Sequence, residues 1–208
     1  MALGFSTEVS SGGKFLPVVK FDAKSGDMIC VNREPVGDGT WEKNEVEVSL
    51  PTKTVMDLAN IEVGWISFAP TYSAAMVPAG EKFPAKPSED HKQAVRLKVF
   101  FKEHGLREFT PTSKTVNRAL DELHNKFIEQ APAHPGKMPV VTIEGVETIK
   151  VSTPQGELRF KAPKMSITGW IDPPAAFAGE AEALKPAAKA APKKQPEPVE
   201  AEDSIDEF

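Results

Sequence analysis

The chain is poor in cysteine: Cys30 is its only one. A single thiol closes no internal disulfide and builds no cysteine metal cluster. Long apolar runs are also missing. No stretch of about 18 apolar residues could span a bilayer, and Met1–Gly13 lacks the apolar core of a secretory leader. A reducing cytoplasm is therefore the expected setting. Catalytic signatures are scarce too. His91, His104, His124 and His134 are dispersed, with no His-x-x-His pair and no HExxH helix. There is no glycine-rich phosphate loop and no Gly-x-Ser-x-Gly. Asp121 and Glu122 read as the solvated face of a helix. Catalysis, a metal and a cofactor are accordingly not expected.

Charge of one sign is missing as well. Across 208 residues, 25 basic side chains face 30 acidic ones, a net of −5. From Ala178 onward the acids dominate, eight against Lys185, Lys189, Lys193 and Lys194. That leaves 21 bases against 22 acids before it, too even for a histone-like duplex binder. The same terminal stretch has only Leu184, Val199, Ile205 and Phe208 as apolar residues besides alanine. Such a segment cannot bury enough surface to offset the entropy of ordering it. The organisation expected is a folded body over 1–177, a disordered Ala/Pro/Lys linker over 178–199 and an acidic tip over 200–208.

Within the body, strand-length apolar or alternating segments are frequent. They cover Lys14–Phe21, Asp27–Val31, Glu45–Leu50, Ile61–Ala69 and Val95–Glu103, then Met138–Ile143, Thr148–Ser152, Glu157–Lys161 and Met165–Ile171. Turn residues separate them at Ser25-Gly26-Asp27, Gly37-Asp38-Gly39, Glu144-Gly145 and Pro154-Gln155-Gly156. The last reads as a hairpin loop. One helix is expected over Thr112–Gln130, where Val116, Leu120, Leu123 and Phe127 make an apolar stripe. Pro70–Asp90 reads as a long loop between strands. Many strands with one helix exclude parallel α/β architecture. The pattern predicts a mostly β fold, an OB-fold-like Greek-key β-barrel with one α-helix. A β-sandwich has the same strand count.

The most informative segment is Val95-Arg96-Leu97-Lys98-Val99-Phe100-Phe101-Lys102. Alternation puts Val95, Leu97, Val99 and Phe101 on one face and Arg96, Lys98, Phe100 and Lys102 on the other. Cations that follow phosphates, with a ring to stack a base, suit single-stranded nucleic acid. An ordinary solvated strand face with one stray ring has the same pattern. Trp41, Trp65, Phe68, Tyr72 and Trp170 are candidate additions to a stacking platform. Core or rim packing is the plainer explanation for each of them. Arg159 and Lys161 are candidates for a second basic wall.

The end of the chain reads Glu202-Asp203-Ser204-Ile205-Asp206-Glu207-Phe208. Acids favour solubility, but a terminal phenylalanine serves a different end. It offers a ring and a carboxylate to a basic pocket. Asp203, Ile205, Asp206, Glu207 and Phe208 are thus candidate partner-binding residues. A β-rich body, a Pro/Ala linker and this tip resemble the single-stranded DNA-binding proteins of bacteria and their phages. The bacterial tip typically carries Ile-Pro-Phe; here Asp-Glu stands where proline would sit, and phage tips resemble this one more closely. The resemblance implies an OB-fold and binding with little base preference in replication, recombination or repair. It further implies recruitment of a polymerase, primase or helicase by the tail, and competition between tail and DNA. The setting would be the host cytoplasm for a phage protein, and a homo-oligomer is compatible. The rival readings are a non-catalytic β-domain scaffold and an RNA-binding protein.

Overall fold

The computed structural model describes residues 16–36, 40–154 and 156–177. The expected linker and tip lie outside them. Eight strands come first: β1 (Val18–Phe21), β2 (Met28–Pro35), β3 (Trp41–Glu47), β4 (Thr52–Met56), β5 (Glu62–Ser67), β6 (Ser73–Pro78), β7 (Lys92–Phe101) and β8 (Gly105–Phe109). Helix α1 (Lys114–Gln130) follows, with a short 3-10 turn at Ala131–Ala133, and then β9 (Met138–Thr153) and β10 (Gly156–Ile171). The fold is mostly β, with one long helix before the last two strands.

The strands share an open mixed sheet in the order β10-β9-β4-β7-β8-β1-β2-β3. All pairings are antiparallel except β1 with β8. Strand β7 organises it. Leu97–Phe101 pairs with β8, Val99–Phe101 with β4, and Lys92–Arg96 with β5. Among the described residues no ladder joins β3 to β10. The sheet does curl back at one point, where the Lys161 N–H donates to the Ala23 carbonyl in the turn between β1 and β2, at 2.7 Å. Gly26 lies against Lys161 and Val146 in the same corner.

Alternation in β7 sends Leu97, Val99 and Phe101 inward, each at most 2% exposed. They meet Val19, Met28, Cys30, Met56, Phe109, Val141 and Ile143. Helix α1 covers this face with Val116, Leu120 and Leu123. It starts at Lys114, two residues after the expected start, because Ser113 is still extended. The end at Gln130 is as expected. Among core residues, burial of each aliphatic side chain stabilises by about 1.5–3 kcal/mol.

Several boundaries differ from the sequence reading. Strands β4 and β8 are additional. In both, a core-facing position is polar, which disguises the alternation. In β4, Thr54 is 2% exposed and its hydroxyl donates to the Phe100 carbonyl at 2.9 Å. In β8, Arg107 is 4% exposed; its guanidinium reaches the Asn32 side chain at 2.7 Å and the Val31 carbonyl at 3.4 Å. Its charge opposes burial at the Cys30 thiol, but burial dominates and keeps that thiol protonated above its ordinary range. The segments Met138–Ile143 and Thr148–Ser152 fuse into β9, and their partners fuse into β10. Glu144-Gly145 is not a turn, because Glu144 is taken up as a bulge opposite Lys164 and Met165. Strands β9 and β10 pair as the expected hairpin, with Gly156 opposite Thr153. The expected Pro70–Asp90 loop contains β6.

The β5–β6 hairpin is tightly coiled at Gly64. A Cβ there would stand 2.0 Å from the Ala75 carbonyl oxygen. Gly64→Ala should therefore lower stability by about 1–3 kcal/mol, as overpacking does. Urea unfolding measures it, and a midpoint equal to that of the unsubstituted protein would contradict the close approach.

Candidate nucleic-acid interface

The face of β7 opposite the core carries Arg96, Lys98 and Phe100, all half-buried, with exposed Lys102 in the turn that follows. Neighbouring strands extend it. Phe100 is in register with Leu106 of β8 and Val55 of β4, and Val55 with Val140 of β9. This makes an apolar row across four strands. Beside it, alternation along β4 brings exposed Lys53 onto the same face, one position beyond the pairing of Thr54 with Phe101. Lys53 is a residue that sequence reasoning missed, because β4 itself was hidden by buried Thr54. Thr142, in register with Lys53, bonds Thr168 hydroxyl to hydroxyl at 2.8 Å.

Two carboxylates temper the charge. Arg96 Nε donates to Glu62 Oε2 at 2.6 Å, with both side chains about one-third exposed. Burial works to lower the Arg96 pKa, but Glu62, then Glu108 and Tyr72, outweigh it and raise the net value. Arg96 stays charged throughout. Lys98 is in register with Glu108. At the chain's exit from β10, a short helical turn brings the Phe177 ring to 6.5 Å from Phe100.

Tyr72 and Phe68 stand in the loop that joins β5 to β6. They are 53% and 62% exposed, and their ring centroids are 6.0 Å apart. Tyr72 lies within electrostatic reach of Arg96. Trp65 does not join them. Register places it with Val63 and Val95 on the helix side of β5. There its Nε1 donates to the Pro84 carbonyl at 2.9 Å, Phe83 meets it edge-on at 5.7 Å, and Lys86 lies 5.5 Å from its centroid. The long loop thus folds back to cover a ring.

The other candidates are elsewhere. Trp170 is stacked between His134, at 4.6 Å, and Phe127, at 5.8 Å, at the end of α1. Trp41 is 65% exposed but begins β3, four strands from β7 in the sheet. Arg159 is exposed on β10, 3.4 Å from Glu157. Lys161 donates to the Thr148 hydroxyl at 2.9 Å, near the corner between β1 and β2. The structure therefore gathers Arg96, Lys98, Phe100 and Lys102 with Lys53, Phe68 and Tyr72. It leaves Trp41, Trp65, Trp170, Arg159 and Lys161 apart. Asp203, Ile205, Asp206, Glu207 and Phe208 lie outside the described residues.

A hollow of about 320 Å³ lies on the opposite side of the sheet, between α1 and the β5–β6 hairpin. Ile61, Val63, Val95 and Leu120 line it, with Asp121 and His124 at its helix wall. Among the described residues no group of three or more metal-ligating side chains comes together. No helix among them is long and apolar enough to cross a membrane.

Sequence and fold were compared with family models, curated proteins and solved structures. None of them matches this chain. Functional inference therefore rests on the geometry of the β7 face.

Burial lowers the His124 pKa, against the opposing pull of Asp121 and a backbone contact with Leu58. The native state thus prefers the neutral ring. As pH falls through the ordinary imidazole value of about 6.5, the unfolded chain protonates first and stability is lost. Replacing His124 with Gln should shrink the loss of urea resistance between neutral and mildly acidic pH. An identical pH profile in both proteins would contradict this assignment.

Proposed function

We propose that this protein binds single-stranded DNA without catalysing a reaction, and that it does so with little preference for base sequence. The observation that supports this most is the single face shared by Arg96, Lys98, Lys102 and Lys53 around the Phe100 ring. Tyr72 and Phe68 stand at its border as further stacking surfaces. Cations track a phosphate backbone, and each stacked base adds about 1–3 kcal/mol. The OB-fold reading goes with it. A helix between β8 and β9, and the return of β10 to the β1–β2 corner through Lys161 and Ala23, suit a small barrel with one incomplete seam. Protection of exposed strands in replication, recombination or repair, in the cytoplasm, follows from this activity.

The tail completes the proposal. Asp203, Ile205, Asp206, Glu207 and Phe208 recruit a replication or repair enzyme. The chain passes Phe177, beside Phe100, before it enters the acidic segment, so the tail begins at the edge of the same face. That start supports competition between the acidic segment and DNA.

One observation favours a second reading, a protein-binding scaffold. Glu62 and Glu108 neutralise part of the face, and a protein partner has no use for phosphate affinity. Salt separates the two. Replacing Lys53, Lys98 and Lys102 together with Gln should weaken single-stranded DNA binding. It should also flatten the log–log salt dependence by about two, from a slope of about 0.7 per phosphate contact. Fluorescent single-stranded DNA, duplex DNA and single-stranded RNA, titrated at several salt concentrations, measure it. Tighter binding to the RNA would move the proposal to RNA. Unchanged DNA binding by the triple variant would remove this face from the site.

Deletion of residues 200–208 should leave the fold intact and single-stranded DNA affinity equal or higher. Phe208→Ala should weaken pull-down of a polymerase, primase or helicase without changing DNA affinity. A clear loss of DNA affinity on deletion would overturn the competition.

A further inference from the structure

The hollow beside α1 has two unlike sides. Its floor is apolar, made by Ile61, Val63, Val95 and Leu120. Its helix wall is polar. Asn117, Asp121 and His124 follow one another at spacings of four and three, so they share one stripe of α1. Among the lining residues there is no lysine or arginine. The volume of about 320 Å³ is at the small end of the roughly 300–1,000 Å³ that ligand pockets occupy.

The polar groups of the stripe offer lone pairs and a negative charge. Asn117 Nδ2 donates to the Gln93 carbonyl at 3.2 Å. A carbonyl can only accept, so this bond fixes which way the amide faces and leaves Oδ1 to be satisfied. That oxygen is buried and has no donor among the described residues. Buried polar atoms of folded proteins nearly always have a partner. Asp121, one helical turn further, is exposed and forms no ion pair with a lysine or arginine among the described residues. The Leu58 backbone engages one ring nitrogen of His124. In a neutral imidazole the other nitrogen accepts. An anion would meet a carboxylate and lone pairs here in place of donors.

We propose that this hollow binds a small organic ammonium, with its hydrocarbon part on the apolar floor and its amine donating to Asn117 Oδ1 and Asp121. Side chains four apart on a helix are neighbours, about 5–6 Å apart at Cβ. An ammonium has three donors and reaches both. The occupant is a free small molecule, because the space holds one compact body, whereas a partner's helix or strand needs a longer groove. The hollow lies across the sheet from Phe100, so this site goes beyond DNA binding and does not depend on it.

Heteronuclear NMR of the full chain, without DNA, tests the site with three probes that share one hydrocarbon body: hexylammonium, hexanol and hexanoate. Hexylammonium should shift the Asn117, Asp121 and His124 amides in a saturable way, hexanol more weakly and hexanoate not at all. Asn117→Ala should weaken hexylammonium about tenfold, as loss of a buried hydrogen bond to a charged group does. Asp121→Asn should weaken it about threefold to fivefold, as for a screened surface pair. Urea midpoints check that the variants are folded, and the order of the three probes is read on the unsubstituted protein in any case. A capped lysine carries the same ammonium on a polar backbone and should bind more weakly than hexylammonium. Tighter binding of the capped lysine would assign the hollow to a partner's side chain and overturn the small-molecule proposal. So would hexanoate binding as well as hexylammonium, shifts that never saturate, or an affinity that neither substitution lowers in folded protein.

Discussion

Strand β7 has neighbours along both of its edges, and that constraint arranges everything else. A strand held on both sides cannot rotate, so its side chains have two directions only. Leu97, Val99 and Phe101 take one and meet the helix. Arg96, Lys98 and Phe100 are committed to the other whatever their own preference. A half-buried phenylalanine on a solvent face costs more there than in the core. The fold limits that cost by laying Val55, Leu106 and Val140 around its base and Phe177 near its ring. The outcome is a flat apolar row bordered by amines.

The same constraint explains how polar groups enter the core without breaking it. Thr54 and Arg107 both point inward from strands adjacent to β7. Each is held by a carbonyl or amide oxygen: Thr54 by Phe100, Arg107 by Val31 and Asn32. Arg107 reaches past β1 to β2, so it links strands that do not touch. Its Nε has no partner among the described residues. Burying a guanidinium without a carboxylate is expensive, and the surrounding amide oxygens recover only part of that. Removing Asn32 or Arg107 would leave the other stranded, which makes this pair a fixed point of the β1–β2–β8 corner.

These polar intrusions also decide what was legible in the sequence. The two faces of β7, the stripe of α1 and the hairpin at Pro154–Gly156 follow from periodicity, and they are where the residues put them. Strands β4 and β8 were illegible because Thr54 and Arg107 occupy positions where alternation demands an apolar residue. With β4 hidden, Lys53 was hidden too, although it shares the outer face with Val55. The places of the tryptophans were not legible for a different reason. Composition says that rings are present, but only tertiary contacts show that Trp65 packs against Phe83, Pro84 and Lys86, and Trp170 against Phe127 and His134. Local pattern carries direction along a strand; it does not carry what a loop will fold back upon.

The Arg96–Glu62 pair looks at first like an obstacle to a polyanion, since a half-buried cation of the face already has a partner. Its energetics point the other way. At about one-third exposure an ion pair of this kind contributes little, on the order of 1 kcal/mol or less after screening. The contact uses Nε alone, and a guanidinium has four further donors to offer. A phosphate can therefore add to Arg96 without displacing Glu62, while Glu62 fixes the fork in place beforehand and reduces the entropy lost on contact. The face as a whole keeps four cations, Lys53, Arg96, Lys98 and Lys102, against Glu62 and Glu108. A surplus of that size is what the proposed reading needs, enough to attract a single strand and small enough to release it. That suits the proposed competition with the acidic tip over 200–208, which the linker over 178–199 joins to Phe177.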